Sequence, residues 1–202
     1  MIAAIILAAG ESRRMGYPKA LLRYRGSTFL EGILEASAAA GLDPLVVVLG
    51  PDWSKVLSSI NLRRTITEVR NLQPETGQLG SIQRGVEAII NHPVDAGLIW
   101  PVDQPHVSVR TVEQLIGAFR AGGAAIVVPS CSGRRGHPVV FGRVTFQELL
   151  TAPADVGARA VVRAHAGHVR EVPVADTAVL EDIDTPQAYE ELVRRSGPAG
   201  DL

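Results

Sequence analysis

Short, uninterrupted apolar runs recur along the chain and predict strands. Four of them stand out, each with Gly or Pro at or near its end, at residues 3–7, 44–50, 96–102 and 124–129. Apolar residues at successive rather than alternate positions are typical of strands buried on both faces of a parallel sheet.

Amphipathic stretches separate these strands and predict helices. Residues 29–41 place apolar side chains on one helical face, and Gly41 ends the pattern. Thr28 and Glu31 have the spacing of a capping box at the start of this helix. Residues 79–90 and 111–122 have similar patterns. Because strands and helices alternate, we predict an α/β fold: a three-layer α/β/α sandwich with a Rossmann-like, mostly parallel sheet.

The last third of the chain predicts shorter elements. Thr185 is a suitable N-cap, with Pro186 at the first helical position and arginines in the last turn. Residues 196–202 predict a frayed end. Since no linker or repeat divides the chain, we predict a single domain over residues 1–202. The shorter elements are a strand at 137–141, helices at 145–150 and 156–165, and an alternating edge strand at 169–174.

Composition and charge exclude several classes of protein. A net charge of −1 argues against non-specific binding to nucleic acid or to anionic membrane surfaces. No run approaches the roughly 18 apolar residues of a membrane span. The first residues are apolar and the basic residues follow, which is the reverse of a secretory signal. A single cysteine, Cys131, excludes an intramolecular disulfide framework. We therefore expect a cytoplasmic protein without nucleic-acid or membrane partners.

The segment ILAAGESRRMGYPKALL, residues 6–22, predicts an anion site. Ala8, Ala9 and Gly10 leave the backbone bare directly after the first strand, at the sheet edge where ligands of α/β proteins bind. Arg13 and Lys19 can reach into such a turn, whose free N–H groups form an anion-binding nest. The P-loop and dinucleotide-binding patterns do not fit this loop. An ordinary exposed basic turn is the alternative interpretation.

Carboxylates occur at two other places where a metal site is expected. Asp103 follows the third strand, at the same predicted edge of the sheet. Asp182 and Asp184 are two residues apart, which places them on one face of an extended segment. Turn chemistry is the alternative for Asp103, and the helix dipole is the alternative for the later pair. Ser81 has a similar ambiguity, because it can cap a helix that starts near it.

The glycine loop resembles a known signature. LAAGESRRMGYPK is similar to the L-A-A-G-x-S-x-R-M-G-x-P-K pattern of the MobA-like nucleotidyltransferases, and more closely to the branch that includes molybdenum cofactor cytidylyltransferase. Five later segments match in family order: TGQLGSIQRG, PVDQPHV, GRRGHPVVF, PADVGARAVV and DIDTPQAY. The resemblance implies a fold of the nucleotide-diphospho-sugar transferase type, with a nucleotide-binding part over about 1–130 and an acceptor-binding part over about 131–190.

The resemblance also implies an activity. It is the Mg²⁺-dependent transfer of CMP from CTP, or of another nucleotide from its triphosphate, to the phosphate of molybdopterin, with release of pyrophosphate. Ala-Ala-Gly in the first loop is associated with CTP in this family, and Ala-Gly-Gly with GTP. The catalytic residues implied are Arg13, Lys19, Asp103 and His137; the Mg²⁺ ligands are Asp103 and Asp184, with Asp182 as the next candidate; and the nucleotide-binding residues are Leu7, Ala8, Ala9, Gly10, Ser12, Arg13, Met15, Gly16, Lys19, Ser81 and Asp103.

Acceptor identity is where the sequence departs from the family. Ala154 stands where the family's Gly-Asp-x-Gly-Ala-Arg segment begins with glycine. His137 lies in the segment that the resemblance assigns to the acceptor side, where it would orient or deprotonate the acceptor; an ordinary structural histidine is the alternative. Two other functions therefore stay open: a nucleotidyltransferase for a different phosphorylated acceptor, such as a sugar phosphate or phospholactate, and a non-catalytic nucleotide- or cofactor-binding protein.

Overall fold

The computed structural model describes residues 1–196, and within them the chain forms one large sheet and a small hairpin. The sheet has eight strands. Seven run in the order β10-β7-β9-β6-β1-β4-β5, and β8 pairs with β7. The strands are β1 (Ile2–Ala8), β2 (Arg23–Tyr24), β3 (Ser27–Thr28), β4 (Leu45–Leu49), β5 (Thr67–Arg70), β6 (Ala96–Pro101), β7 (Ile126–Cys131), β8 (Arg134–Arg135), β9 (Val139–Gly142) and β10 (Val169–Pro173); β2 and β3 make the hairpin.

The direction of the strands matches the predicted, mostly parallel sheet. β1 pairs in parallel with β4 on one side and β6 on the other, and β5 and β10 are also parallel to their neighbours. β9 inserts between β6 and β7 and is antiparallel to both. The carboxyl ends of β6, β1 and β4 therefore meet at one edge of the sheet, where open α/β sheets bind ligands.

Helices cover both faces of the sheet. Ile2, Ala4 and Ile6 pack on the face covered by α1, α4 and α7, whereas Ile5 and Leu7 pack with α3, α5 and α6. This alternation follows from the two-residue period of a strand, and it confirms the three-layer α/β/α sandwich. The helices are α1 (Phe29–Ala39), α2 (Trp53–Ser59), α3 (Gly77–Ile89), α4 (Val109–Arg120), α5 (Phe146–Leu150), α6 (Arg159–Ala164) and α7 (Pro186–Arg195).

The predicted caps are present. The Glu31 amide donates to the Thr28 hydroxyl at 3.2 Å, and the Glu31 carboxylate accepts from the Thr28 amide at 2.7 Å. Thr185 caps α7 in the same way, accepting from the Ala188 amide at 3.2 Å, and Pro186 is the first helical residue. These local patterns are readable because both partners lie within three residues of each other.

The predicted elements are found, with ends shifted by a few residues. Four features were not predicted: the β2–β3 hairpin, α2, the edge strand β5 and the short strand β8. The hairpin strands are two residues long, too short for a hydrophobic pattern, and most β5 side chains are exposed. Apart from Ser196, the predicted frayed end at 196–202 lies outside the described residues. Within residues 1–196, no helix is both long and apolar enough to cross a bilayer.

Candidate active site

A cavity of about 710 Å³ opens at the carboxyl edge of β1, β4 and β6. Its walls come from the glycine loop, the turn after β4, Asn71 after β5, the start of α3, the turn after β6 and Asp184 before α7. The fold therefore brings together residues from six separate segments of the chain. Of the residues predicted to bind nucleotide or metal, those that line the cavity are Leu7, Ala8, Ala9, Gly10, Ser12, Arg13, Lys19, Ser81, Asp103 and Asp184.

Ser12 holds the glycine loop in shape. Its φ is +49°, and its carbonyl accepts from the amides of Met15 at 2.9 Å and Gly16 at 3.1 Å. Its hydroxyl accepts from the Lys19 amide at 3.1 Å. The amides of Met15 and Gly16 are thus used inside the turn, and neither residue lines the cavity. This geometry gives Ser12 an organising role in the loop, and it places Met15 and Gly16 in the turn rather than at the cavity.

The turn after β4 lies directly against the glycine loop. A Cβ atom added at Gly50 would come within 2.5 Å of the Ala9 carbonyl oxygen, closer than such contacts allow. Glycine is therefore required at position 50 for the two turns to touch, and their contact closes one side of the cavity. Trp53, at the start of α2, lines this side and stacks against the Arg70 guanidinium at 3.4 Å.

Lys19 joins the two predicted metal ligands. Its ammonium donates to Asp103 Oδ2 at 3.1 Å and also contacts Asp184 Oδ1. Asp184 Oδ2 accepts from Arg14 at 2.9 Å. The Lys19 side chain is 13% exposed, so it lies at the inner end of the cavity rather than at the mouth. Two carboxylates from positions far apart in the chain thus surround a single cationic group.

The pKa values of the two carboxyl groups shift in opposite directions. Burial raises the pKa of Asp103, and the contact with Lys19 only partly offsets this. The hydrogen bond from Lys19 lowers the pKa of Asp184, and Arg14 adds to the effect. The difference arises because Asp103 is the more enclosed group, and its free oxygen is shielded from solvent.

The carboxylates fit a divalent cation. Asp103 Oδ1 is buried and has no hydrogen-bond partner among the described residues, and an unsatisfied buried carboxylate oxygen is a natural cation ligand. Oxygen ligands suit Mg²⁺ and Mn²⁺. Within residues 1–196, no group of three or more His, Cys, Asp or Glu side chains is placed to hold a metal. A bound ion would therefore take its other ligands from phosphate oxygens and water.

The two loop arginines differ in their contacts. Arg13 pairs with Glu11 at 2.7 Å, and its side chain is 78% exposed at the rim of the cavity. Arg14, which was not among the predicted catalytic residues, contacts Asp184 instead. The sequence signal for Arg14 was its place beside Arg13 in a basic loop, but the loop conformation decides which of the two reaches the carboxylate.

Ser81 lies inside α3 and does not cap it. The helix starts at Gly77, and the Ser81 hydroxyl accepts from Asn71 Nδ2 at 3.1 Å. The alternative interpretation of Ser81 as a helix cap is therefore wrong. Asn71 and Gln78 also line the cavity and were not predicted. Their signal in the sequence is weak, because each polar residue lies in a region of ordinary loop and helix composition.

His137 lies outside the cavity lining. Its amide donates to the Val179 carbonyl at 2.9 Å. Burial lowers the pKa of His137, and the charges of Asp182 and Asp103 partly offset this. The Val179 carbonyl also accepts from Gln104 Nε2 at 3.4 Å, and Gln104 directly follows Asp103 in the chain. Asp182 itself does not line the cavity and accepts from Gln104 at 2.8 Å.

This fold and site define a nucleotidyltransferase: a carboxyl-edge cavity with a glycine loop, a lysine and paired carboxylates suited to a triphosphate and a divalent cation. The chain belongs to the family of the MobA-like NTP transferase domain, whose model matches residues 4–169. The same layers occur in solved nucleotide transferases of 16% identity, which confirms the predicted nucleotide-diphospho-sugar transferase type of fold.

Two relatives that match this chain in sequence are named for different activities. The nicotine blue oxidoreductase of Paenarthrobacter nicotinovorans is 33% identical over 191 residues, which are 91% of this chain and 92% of that protein. A probable molybdenum cofactor guanylyltransferase of Bacillus cytotoxicus is 30% identical over 134 residues, 66% of this chain and 64% of the relative. These matches agree with the family that the domain model gives.

A solved structure covers nearly the whole chain. Rv0371c of Mycobacterium tuberculosis has a TM-score of 0.82 and 31% identity, covering 96% of this chain and 98% of that one. A structure of Rv0371c in complex with manganese has a TM-score of 0.76 and 28% identity, covering 96% and 98%. A manganese complex in so similar a protein is consistent with use of a divalent metal by this family.

Proposed function

We propose that this protein transfers a cytidylyl group from CTP to the phosphate of molybdopterin and releases pyrophosphate. The observation that carries the proposal is the meeting of Lys19, Asp103 and Asp184 at the inner end of a cavity walled by the glycine loop. In this proposal the nucleotide binds to the part of the chain over about 1–130, and the acceptor binds to the part over about 131–190.

The cationic groups of the loop would hold the triphosphate. Lys19 binds a phosphate oxygen with its ammonium, and Arg13 and Arg14 add charge at the rim of the cavity. Fixed positive groups stabilise the charge that develops on the leaving pyrophosphate more than they stabilise the substrate. Ala8 and Ala9 have small side chains, so the base and sugar can approach the main chain closely.

Mg²⁺ is the proposed cation, and Asp103 and Asp184 are its proposed ligands. The free Oδ1 of Asp103 and the carboxylate pair around Lys19 support this assignment. When bound, Mg²⁺ would supply charge stabilisation at the phosphate oxygens. The Lys19 ammonium would then move away from the two carboxylates and would be free to bind a phosphate oxygen.

His137 is the proposed group on the acceptor side. Its lowered pKa keeps the imidazole neutral near pH 7, which is the state that a general base needs. It would orient the acceptor phosphate or remove its proton before the acceptor oxygen attacks the α-phosphorus. That attack forms the new P–O bond as the bond to pyrophosphate breaks.

The choice of CTP rests on Ala8-Ala9-Gly10 and is tested against GTP, the nucleotide implied by relatives named as guanylyltransferases. The four nucleoside triphosphates are each added with Mg²⁺, and thermal unfolding is followed, since binding to the folded state raises Tm. Pyrophosphate release is then measured with molybdopterin, with a sugar phosphate, or with no acceptor. Stabilisation by CTP and release only with molybdopterin are expected. Nucleotide binding without release with any acceptor would instead indicate a non-catalytic binding protein. The cytoplasmic location stays a prediction.

A second candidate function comes from the relative named nicotine blue oxidoreductase, which matches over most of both chains. Reduction of a substrate would require an electron donor such as a nicotinamide dinucleotide, and the chain lacks the G-x-G-x-x-G fingerprint for one. The same preparation separates the two functions. Oxidation of NADH or NADPH in the presence of nicotine blue, with no stabilisation by any nucleoside triphosphate, would favour the oxidoreductase.

A further inference from the structure

Gln104 is a buried amide directly after the metal-site aspartate. It is 1% exposed and follows Asp103 in the turn after β6. Its main-chain carbonyl accepts from the Trp100 indole at 3.0 Å, which fixes the backbone of the turn. Its side-chain Oε1 is buried without a hydrogen-bond partner among the described residues, so the side-chain hydrogen bonds of Gln104 are those that its Nε2 donates.

The partners of the Gln104 side chain lie on the segment that carries Asp182 and Asp184. Its Nε2 donates to Asp182 Oδ1 at 2.8 Å and to the Val179 carbonyl at 3.4 Å. Next to this contact, the Ile183 amide donates to the Asp103 carbonyl at 2.9 Å. One main-chain bond and one side-chain bond thus join residues 103–104 to residues 182–183.

These two bonds give Asp182 and Asp184 different surroundings. Asp184 lines the cavity and contacts Lys19, whereas Asp182 does not line the cavity and is held by Gln104. Gln104 Nε2 and the His137 amide donate to the same Val179 carbonyl, so the hydrogen bond between Gln104 and Asp182 lies beside His137.

We propose that Gln104 is a positioning residue that holds Asp182 beside His137, on the acceptor side, so that of Asp182 and Asp184 only Asp184 joins Asp103 at the cation. The inference rests on the proposed function, and it assigns Asp182 to the acceptor. A carboxylate there can accept hydrogen bonds from the N–H groups of a pterin ring or orient His137 toward the acceptor. Gln104 acts only through Asp182 and touches neither substrate.

The test compares Gln104→Met, Asp182→Ala and their combination. Methionine has nearly the shape of glutamine and removes the donor, and Asp182→Asn is the matched control because Asn keeps an oxygen that accepts from Gln104. The dissociation constant of CTP with Mg²⁺ is measured by tryptophan fluorescence, since Trp53 lines the cavity. The dissociation constant of molybdopterin and its KM for pyrophosphate release are measured separately, at temperatures well below each variant's Tm.

We expect the variants to weaken the binding of molybdopterin but not the binding of CTP. Gln104→Met and Asp182→Ala each weaken molybdopterin binding about tenfold, the effect of one hydrogen bond to a charged group, and the double variant is no worse than either. The dissociation constant of CTP stays within about twofold in all of them, a change too small to represent a lost hydrogen bond. Additive losses, an unchanged molybdopterin constant, or an equal loss of CTP binding would overturn the inference. A wild-type protein that binds CTP but not molybdopterin overturns it too, while the failure of any triphosphate to bind overturns the proposed function itself.

Discussion

The Lys19 ammonium lies 3.1 Å from the Asp103 carboxylate, although 84 residues separate them in the chain. The same ammonium contacts Asp184, so one cation neutralises both carboxylates that are proposed to hold the metal. Lys19 is therefore both a phosphate-binding group and the resident partner of the metal ligands. These two roles predict opposite effects when its charge is removed.

Replacing Lys19 by methionine should slow turnover strongly and at the same time tighten the binding of a metal ion in the absence of nucleotide. Loss of a fixed charge next to the transferred phosphate is expected to lower kcat by about a hundredfold to a thousandfold. The Lys19 ammonium competes with a metal ion for the two carboxylates. Without it, Mn²⁺ affinity in the absence of nucleotide should rise about tenfold or more, which is the usual effect of one opposite charge next to a carboxylate. Calorimetric titration with Mn²⁺ measures the affinity.

Lys55→Met is the matched control, because Lys55 is the other of the two lysines and lies over the Tyr17 ring, outside the cavity lining. It should change neither quantity. Unchanged or weaker Mn²⁺ binding in Lys19→Met would show that the two aspartates do not share a cation site.

His137→Gln should remove the acid limb of the pH–rate profile. Burial lowers the pKa of His137, so the imidazole of the wild type loses its proton below the usual value of about 6.5. As the pH falls through that lowered pKa, the base becomes protonated and kcat/KM for the acceptor declines. The variant should be about a hundredfold slower or worse and should lack this limb. His92→Gln, on an exposed turn, is the control. Retention of the limb in His137→Gln would assign it to another group.

Local patterns in the sequence predicted that the glycine loop and Asp103 meet at one edge of the sheet, because both follow strands of a mostly parallel sheet. Asp103 follows β6 and the glycine loop follows β1, and parallel neighbours bring these ends together. The capping box of Thr28 and Glu31 was readable for a similar reason, since both partners lie in one turn of helix.

Contacts that depend on loop conformation were not predictable. Ser12 adopts a positive φ, and the resulting turn sends Arg13 to Glu11 and Arg14 to Asp184, a choice that no spacing rule encodes. Asp182 and Asp184 were predicted to share a face, yet the buried Gln104 separates their surroundings. A buried glutamine in an Asp-Gln-Pro turn has no pattern that distinguishes it from an exposed one.

Gly50→Ala tests whether the contact between the two turns shapes the cavity. The added methyl would meet the Ala9 carbonyl at 2.5 Å, and relief requires one turn to move. We expect a loss of about 1–3 kcal/mol in the free energy of unfolding, together with weaker nucleotide binding, because Ala9 lines the cavity. Differential scanning calorimetry and nucleotide titration measure the two effects.

Gly117→Ala is expected to change the free energy of unfolding in the opposite direction. Gly117 lies in α4, and a Cβ there meets nothing within 4 Å. Alanine should therefore stabilise the protein by about 0.5–1 kcal/mol through helix propensity, with nucleotide binding unchanged. Equal stability of the two variants would mean that the turns after β1 and β4 separate without cost.

The hydrogen bonds of the Asp176 carboxylate predict that the protein loses stability in acid. Its Oδ2 accepts from the Ser108 amide at 2.9 Å and the Thr111 hydroxyl at 2.7 Å, and its Oδ1 accepts from the Ala178 amide at 3.2 Å. Burial alone would raise the pKa of Asp176, but these hydrogen bonds outweigh it and the pKa is lowered. The contact joins the start of α4 to the segment that leads to Asp182 and Asp184.

A lowered pKa in the folded state means that Asp176 stabilises the fold above its unfolded pKa of about 3.9. That contribution is lost as the pH falls through the folded value. Asp176→Ala should therefore cost about 1–2 kcal/mol at pH 7, and the difference from wild type should shrink steadily as the pH drops below about 4. Urea unfolding at a series of pH values measures this, with the exposed Asp155→Asn as control. A difference that is constant down to pH 2 would mean that the carboxylate charge of Asp176 contributes nothing to stability, because only the packing of its side chain would then have been lost.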